Sequence, residues 1–175
     1  MKKKLFHNLL LRPIGARALK SAGDTLRPYL AGARVLDLFA GNGRLGKMAL
    51  VEGAEHVVFV ERDERTGTAL RKSLLREAGR STVFVHDVFS FLASHSEDRY
   101  DLVFADPPFK EWANGYAERL ALAVQTVLLP ESVFVVKNPT RVILSGPLPG
   151  LSLWKQSEFG ESTLTYFRNG ARGHE

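Results

Sequence analysis

Three features of the sequence predict an α/β fold, with a doubly wound, mostly parallel seven-stranded sheet that closes with an antiparallel C-terminal hairpin. Short apolar runs alternate with helical patterns from residue 34 onward. A glycine-rich turn directly follows the first apolar run. The C-terminal part alternates apolar and polar residues, as strands with one exposed face do. Because strands joined by helical crossovers lie parallel, the first two features predict the parallel part of the sheet.

The parallel part contains five strands with helices between them. Gly53 and Gly79 end the first two helices. Two alternating segments, 151–157 and 162–168, flank a turn at 159–161 and predict the hairpin. The predicted strands are 34–39, 56–61, 82–86, 100–105 and 132–137, and the predicted helices are about 44–52, 65–77, 88–94 and 114–127.

The first 32 residues are predicted to be a basic helical extension of a main domain at 33–170, within a single globular unit. Pro13 can begin a helix that Gly23 ends, and Asp24 or Thr25 can cap a second short helix that ends near Leu30. No apolar run approaches the ~20 residues that a membrane span needs, and the apolar N-terminal run is too interrupted for a signal peptide. The chain contains no cysteine, which excludes disulfides and fits a reducing compartment, so we expect the cytoplasm. We also expect a monomer.

The positive charge of the chain is concentrated near its N-terminus. The net charge is +5, but residues 1–34 carry eight basic side chains and one acidic one, a balance of +7; the other 141 residues carry 16 basic and 18 acidic side chains. Such a flank is typical of a segment that meets nucleic-acid phosphates, although a run of three lysines can also be a solvated tail. The predicted nucleic-acid contacts are Lys2, Lys3, Lys4, Arg12, Arg17 and Lys20.

The first candidate site is a nucleotide-binding turn. The segment 41–46 has the G-x-G-x-x-G spacing, follows a strand and opens a helix, and its glycines let backbone N–H groups approach a ligand. Glu61 lies at the end of the second strand, where a carboxylate can accept both hydroxyls of a ribose. The residues predicted to bind the cofactor are Asp37, Phe39, Ala40, Gly41, Asn42, Gly43, Glu61, Arg62, Asp87 and Val88.

Asp37 favours a cationic cofactor over a dinucleotide. It lies within the first apolar strand, where an unpaired carboxylate would be costly to bury. S-adenosylmethionine offers an ammonium group and a positive sulfur, whereas the pyrophosphate of NAD would be repelled. Asp37 can also cap the amides of the glycine turn, and both roles can hold. Similarly, Asp87 can accept the adenine amine or cap the helix that begins at Val88.

The second candidate site is Asp106-Pro107-Pro108-Phe109, directly after the buried strand 100–105. An exocyclic purine amine is a poor nucleophile, because its lone pair is delocalised into the ring. The Asp106 carboxylate and the Pro107 carbonyl can accept its two N–H groups, while the prolines stiffen the loop and add no donors. Phe109 can stack on a flipped-out base. Although Asp-Pro alone is common in turns, this combination predicts methyl transfer to nitrogen without a metal.

These motifs resemble those of the class I S-adenosylmethionine-dependent methyltransferases, which have a Rossmann-like fold, and more narrowly the bacterial RsmD-type 16S ribosomal RNA guanine-N2 methyltransferases. The resemblance implies that residues 106–109 hold the guanine amine and that S-adenosylmethionine is bound by Asp37, Gly41, Gly43, Glu61 and Asp87. It also implies ribosomal RNA or the small ribosomal subunit as partner. Unlike the family pattern, the fifth strand ends in Lys137-Asn138 instead of acidic residues. The segments that carry the resemblance are 12–13 with residue 17, 36–46, 52–54, 60–63, 87, 106–109 and 159–163.

Three other functions agree with part of these observations. The Asp106 motif can equally hold an adenine amine, which would make the chain an adenine-N6 methyltransferase of DNA or RNA. A non-catalytic RNA- or nucleotide-binding module would also need the basic flank, but intact Asp106 and glycines argue against it. An NAD oxidoreductase would need a catalytic Tyr-Lys or His pair, which the motifs do not place.

Overall fold

The computed structural model describes residues 14–113, 115–144 and 148–170, and it confirms the predicted α/β architecture. Two short 3₁₀ turns, Leu75–Glu77 and Phe109–Glu111, supplement the regular elements. The helices are α1 (Ala16–Leu30), α2 (Arg44–Val51), α3 (Glu64–Ser73), α4 (Val88–Ser94) and α5 (Tyr116–Gln125). The strands are β1 (Arg34–Leu38), β2 (His56–Glu61), β3 (Ser81–Val85), β4 (Tyr100–Ala105), β5 (Leu128–Pro139), β6 (Leu151–Phe159) and β7 (Ser162–Asn169).

The seven strands form one sheet in the order β3-β2-β1-β4-β5-β7-β6. Strands β1 to β5 pair in parallel, whereas β7 pairs antiparallel with β5 and with β6. The order reverses at β1, which has β2 on one side and β4 on the other. The carboxyl ends of β1 and β4 therefore flank the topological switch point, where open α/β sheets bind their ligands.

Helices cover both faces of the sheet, and each face has its own apolar core. Val35 and Phe59 face the side covered by α1, α2 and α3. Leu36 and Val58 point to the opposite side, covered by α4 and α5. This burial of successive residues on both faces explains why the parallel strands read as continuous apolar runs. No helix among the described residues is long and apolar enough to cross a membrane.

The prediction of two short N-terminal helices is wrong, because α1 runs without a break from Ala16 to Leu30. Gly23 lies inside the helix, where it packs against Met48 of α2; a Cβ built at Gly23 would lie 3.5 Å from the Met48 sulfur. The apolar face of α1, which includes Leu26 and Leu30, is fully buried in the first core. That burial outweighs the cost of a helical glycine, about 1 kcal/mol relative to alanine.

Candidate active site

A cleft of about 1,610 Å³ opens at the carboxyl ends of the parallel strands. It receives residues from both predicted motifs, although these lie far apart in the sequence. Of the residues predicted to bind the cofactor or act in catalysis, the cleft is lined by Asp37, Phe39, Ala40, Gly41, Asn42, Glu61, Arg62, Asp87, Val88, Asp106, Pro107, Pro108 and Phe109. Gly43 does not belong to this lining.

The turn after β1 has an unusual backbone conformation. Phe39 has φ of 58°, and Gly41 and Gly43 have φ of 56° and 72°. Left-handed backbone is uncommon for an aromatic residue, and such residues concentrate at functional sites. The turn is held by bonds from Ala40 N–H to the Val60 carbonyl at 3.0 Å and from Gly43 N–H to the Ala40 carbonyl at 2.7 Å. The chain therefore leaves β1 abruptly and exposes this turn to the cleft.

Two glycines of the motif allow close packing beneath the turn. A Cβ at Gly43 would lie 2.6 Å from a Leu70 methyl group, and one at Gly46 would lie 2.2 Å from the Phe59 ring. No side chain fits at either distance without displacing its neighbours. Because Gly46 lets α2 approach the sheet, its N–H reaches the side chain of Asp37 in the neighbouring strand.

Asp37 is a buried carboxylate at the base of the cleft, with 2% of its surface exposed. Its Oδ2 accepts the Gly46 N–H at 2.8 Å. Burial raises the pKa of Asp37 to about 8; the Gly46 bond and Lys47 oppose this rise, whereas Asp106 and Glu61 add to it. The structure thus shows the loop-capping role, and the raised pKa marks a carboxylate that a bound cation would stabilise in its ionised form.

Glu61 links the glycine turn to the start of α3. One carboxylate oxygen accepts the Gly41 N–H at 2.9 Å, and the other accepts the Asp63 N–H at 2.8 Å. Asp63 in turn caps α3 by accepting the Thr66 N–H at 2.8 Å. The orientation of Glu61 is therefore set by two backbone bonds, while its side chain still lines the cleft. Each oxygen has a further lone pair with which to accept a ligand hydroxyl.

Asp87 is the N-cap of α4. Its carboxylate accepts the Ser90 N–H at 3.0 Å, and this bond lowers the pKa of Asp87. Asp87 is exposed and lines the cleft together with buried Val88 and exposed Arg62. Capping is thus established for Asp87.

Asp106 follows β4 and forms a buried ion pair that the sequence did not predict. Lys137 of β5 donates to both of its carboxylate oxygens, at 2.9 and 3.1 Å. The side chains of Lys137 and Asp106 are 6% and 20% exposed. Burial raises the pKa of Asp106, and the charge and hydrogen bonds of Lys137 oppose that rise. The only sequence signal for Lys137 was a charge at the end of an otherwise apolar strand.

The prolines and Phe109 continue the chain along the cleft. The Asp106 N–H donates to the Leu38 carbonyl at 3.3 Å, which ties the motif to the end of β1. A bond from Glu111 N–H to the Pro108 carbonyl, at 2.9 Å, closes the short turn that begins at Phe109. The Lys137 ammonium lies 5.5 Å from the centre of the Phe109 ring. The motif is therefore held from β1, from β5 and by its own turn.

Three rings that the sequence did not predict as site residues, Phe89, Trp112 and Tyr116, form an aromatic wall at the cleft. Tyr116 and Phe89 both line the cleft and meet edge to face, with ring centres 6.2 Å apart. Trp112 packs on Tyr116 at 5.4 Å, and the Arg119 guanidinium lies 3.9 Å above the Phe89 ring. The Tyr116 hydroxyl is buried and has no hydrogen-bond partner among the described residues. Spacing gave no signal for this wall, since its members come from different elements.

The predicted nucleic-acid contacts fall into two groups. Lys2, Lys3, Lys4 and Arg12 lie outside the described residues. Arg17 and Lys20 lie on α1 beside a shallow depression that also includes Trp154 and Lys155, and they do not line the cleft.

Ile14 lines the cleft, and its carbonyl accepts a 2.8 Å bond from Arg44.

Comparisons with known proteins identify relatives of this chain. A protein-family model described as conserved hypothetical protein 95 matches residues 2–168. "Putative rRNA methyltransferase YlbH" of Bacillus subtilis is 33% identical over 162 residues, which cover 90% of this chain and 87% of that protein. "Ribosomal RNA small subunit methyltransferase D" of Haemophilus influenzae is 35% identical over 103 residues, which cover 57% of this chain and 53% of that protein.

A solved structure shares the fold closely. "Putative methyltransferase yhhF" from Escherichia coli superimposes with a TM-score of 0.80 at 28% sequence identity. The superposition covers 93% of this chain and 89% of that chain. The seven-stranded sheet and its C-terminal hairpin are therefore shared along nearly the whole of both proteins.

Proposed function

Because this chain belongs to the family described as conserved hypothetical protein 95, we propose that it transfers a methyl group to the exocyclic N2 amine of a guanine in 16S ribosomal RNA. The observation that carries the proposal is the turn 106–109, which lies in one cleft with Asp37 and Glu61. The relatives named for ribosomal RNA methylation support the substrate class, and the name of the Haemophilus influenzae relative supports the small subunit.

The chain is an S-adenosylmethionine-dependent methyltransferase, and its residues fit that cofactor. S-adenosylmethionine supplies a methyl group bound to a positively charged sulfur, which takes the electron pair of the breaking bond. The buried Asp37 carboxylate suits a cationic ligand, because its raised pKa falls when positive charge lies nearby. Glu61 and Asp87 line the cleft; Glu61 would accept ribose hydroxyls and Asp87 would accept the adenine amine. Capping of backbone amides and ligand binding are compatible, because each bond uses a separate lone pair.

Asp106 prepares the target amine for attack. Its ionised carboxylate accepts an N–H of the amine, which draws the nitrogen towards tetrahedral geometry and localises its lone pair. The Pro107 carbonyl accepts the second N–H, and Phe109 stacks on the base. The new N–C bond leaves an extra proton on the nitrogen, and Asp106 passes this proton to water.

The basic flank brings the RNA to the cleft. The charge of the basic flank supports this proposal, because Lys and Arg side chains bind nucleic-acid phosphates without regard to base sequence. One chain supplies every residue assigned above, and we therefore propose that a monomer is sufficient. A ribosomal substrate places the reaction in the cytoplasm.

The test is methyl transfer from labelled S-adenosylmethionine to small ribosomal subunits, naked 16S RNA, DNA and bulk protein in parallel. We expect label in RNA, and N2-methylguanosine after digestion to nucleosides. N6-methyladenosine would assign the same Asp106 chemistry to an adenine amine. Label in protein alone would refute a nucleic-acid substrate.

Asp106→Ala tests the assigned chemistry. We expect methyl transfer to fall by at least about a hundredfold, as is usual when an acid–base group is removed, while cofactor binding measured by calorimetry stays close to wild type. Asp101→Ala is the matched control, because Asp101 lies on β4, the strand before Asp106, and accepts the Arg34 N–H outside the cleft. Retained turnover in Asp106→Ala would remove the role proposed for this carboxylate.

A further inference from the structure

We propose that Lys137 is a positioning residue that holds Asp106 in the orientation needed to receive the target amine. This inference rests on the proposed function, because it concerns how the same carboxylate is prepared. It goes beyond that function by assigning a role to a residue of β5, the strand next to the one that Asp106 follows.

The geometry of the pair supports a positioning role. Lys137 donates to both Asp106 oxygens, at 2.9 and 3.1 Å, so the carboxylate cannot rotate about its terminal bond without losing one of them. β5 pairs with β4 in register from Leu102↔Val133 to Ala105↔Val136, which places Lys137 beside the residue that follows Ala105. The ammonium therefore comes from the rigid centre of the sheet, whereas Asp106 lies on the loop.

The pair also leaves Asp106 able to act. A carboxylate has about four acceptor positions, and Lys137 occupies one on each oxygen. Both residues line the cleft, so the remaining positions can accept an amine N–H from that side. A cation that shared the cleft without this two-point contact would supply charge but would not fix the direction of the lone pairs.

Charge explains why a cation is needed at this position. Asp37, from β1, interacts unfavourably with Asp106, and burial disfavours the ionised form of both. Lys137 is the group that favours ionised Asp106 among those identified around it. The other charged groups on the cleft wall are Arg44, Glu61, Arg62, Asp63, Arg65, Asp87, Lys110, Glu111, Arg119, Arg141 and Glu161. Without Lys137, two buried acidic groups would face one cleft and favour their protonated forms.

The neighbouring ring gives Lys137 a second contact. Its ammonium lies 5.5 Å from the centre of the Phe109 ring, within the range of a cation–π interaction. Lys137 thus touches both ends of the 106–109 turn, and its removal should loosen the carboxylate and the ring that stacks on the base together.

The experiment measures single-turnover methyl transfer against pH for wild type, Lys137→Met and Lys137→Arg, with saturating S-adenosylmethionine and RNA. An opposite charge at this distance typically lowers a carboxyl pKa by about 1 to 3. We therefore expect the acid limb of the rate–pH profile of Lys137→Met to lie about 1 to 3 pH units higher than that of wild type. At the pH where wild type has half its maximal rate, the rate of Lys137→Met should be lower than that of wild type by about fivefold or more. Lys137→Arg, which keeps the charge and two donors, should keep the wild-type midpoint.

Lys155→Met is the matched control. Lys155 lies on β6, donates to Thr25 at 2.8 Å and does not line the cleft. It should leave the pH midpoint unchanged. Calorimetric binding of S-adenosylmethionine should be nearly the same in all variants, since Lys137 is assigned to Asp106 and not to the cofactor.

Two results would overturn the inference. The first is a folded Lys137→Met enzyme whose pH midpoint equals that of wild type, which would show that Lys137 does not prepare Asp106. The second is a midpoint in Lys137→Arg that moves to higher pH by as much as it does in Lys137→Met. If Lys137→Met does not fold, Lys137→Gln removes the charge in its place, and a wild-type midpoint in that variant would equally overturn the inference. Failure of the proposed function is distinguishable, because wild type would then methylate no RNA at any pH.

Discussion

Replacing Asp37 by Asn should change how the stability of the protein depends on pH. The native carboxyl has a pKa raised to about 8 by burial, against an ordinary value of 3.8. Between these values the native state holds a proton that the unfolded state has lost. The free energy of unfolding of wild type should therefore fall as pH rises through this window. Asn keeps an oxygen that can accept the Gly46 N–H but has no proton to lose.

The size of the effect follows from proton linkage. A difference of one bound proton changes the free energy of unfolding by about 1.4 kcal/mol per pH unit. Across the two units from about pH 5.5 to 7.5, which lie within the window, wild type should lose about 3 kcal/mol relative to Asp37→Asn. This loss is a large fraction of the ~5–15 kcal/mol that stabilises a typical domain.

Urea denaturation followed by circular dichroism at several pH values measures the difference between the two proteins. Subtracting the wild-type curve from the mutant curve removes the titration of groups that both proteins share. Asp101→Asn is the matched control, because Asp101 also accepts a backbone N–H, from Arg34 at 2.8 Å, but is only half-buried. It reports what the same chemical change does to stability at each pH.

The reasoning would be refuted if the free energies of unfolding of wild type and Asp37→Asn differed by the same amount at every pH in this range. It would mean that Asp37 is ionised in the folded protein without a ligand, and burial would then not govern its charge. The assignment of Asp37 to a cationic cofactor would lose its electrostatic support, although its bond to Gly46 would remain.

Two further predictions concern contacts inside the fold. Gly46→Ala should lower the free energy of unfolding by about 1–3 kcal/mol, because the new Cβ would lie 2.2 Å from the Phe59 ring. Gly79→Ala is the control, because a Cβ at Gly79 meets no atom within 4 Å; equal urea midpoints for the two variants would contradict the overpacking argument. Asn138→Ala should lower the free energy of unfolding by about 1–3 kcal/mol, because the Thr165 hydroxyl loses the buried acceptor to which it donates at 2.8 Å. An unchanged midpoint of thermal unfolding would show that this hydroxyl finds another partner.

The strands and the C-terminal hairpin could be predicted from the sequence because their signals are local. The predicted strand at 56–61 matches β2, and that at 100–105 matches β4, since both are apolar runs with clear ends. The N-terminal helix could not be predicted in the same way. Gly23 is a local helix-breaking signal, and it was overridden by the close packing of α1 on Met48, which only the folded chain reveals.

Lys137 shows the limit of motif reading most clearly. The sequence marks it only as a cation that ends a buried strand, 31 residues after Asp106. The parallel pairing of β4 with β5 brings the two side chains together, and the resulting ion pair changes how Asp106 can act. The aromatic wall likewise brings together Phe89 and Tyr116, which lie on different helices far apart in the sequence.

The sequence by itself determined the fold class, the glycine turn and the motif 106–109 from which methyl transfer to nitrogen was predicted. Each of these depends on residues that are neighbours in the sequence. The tertiary structure decided that Asp37 is buried with a pKa of about 8, and that Asp106 is paired with Lys137. Burial and charge pairing depend on which strands become neighbours in the sheet. That neighbourhood is a property of the whole fold, and no single segment of the chain contains it.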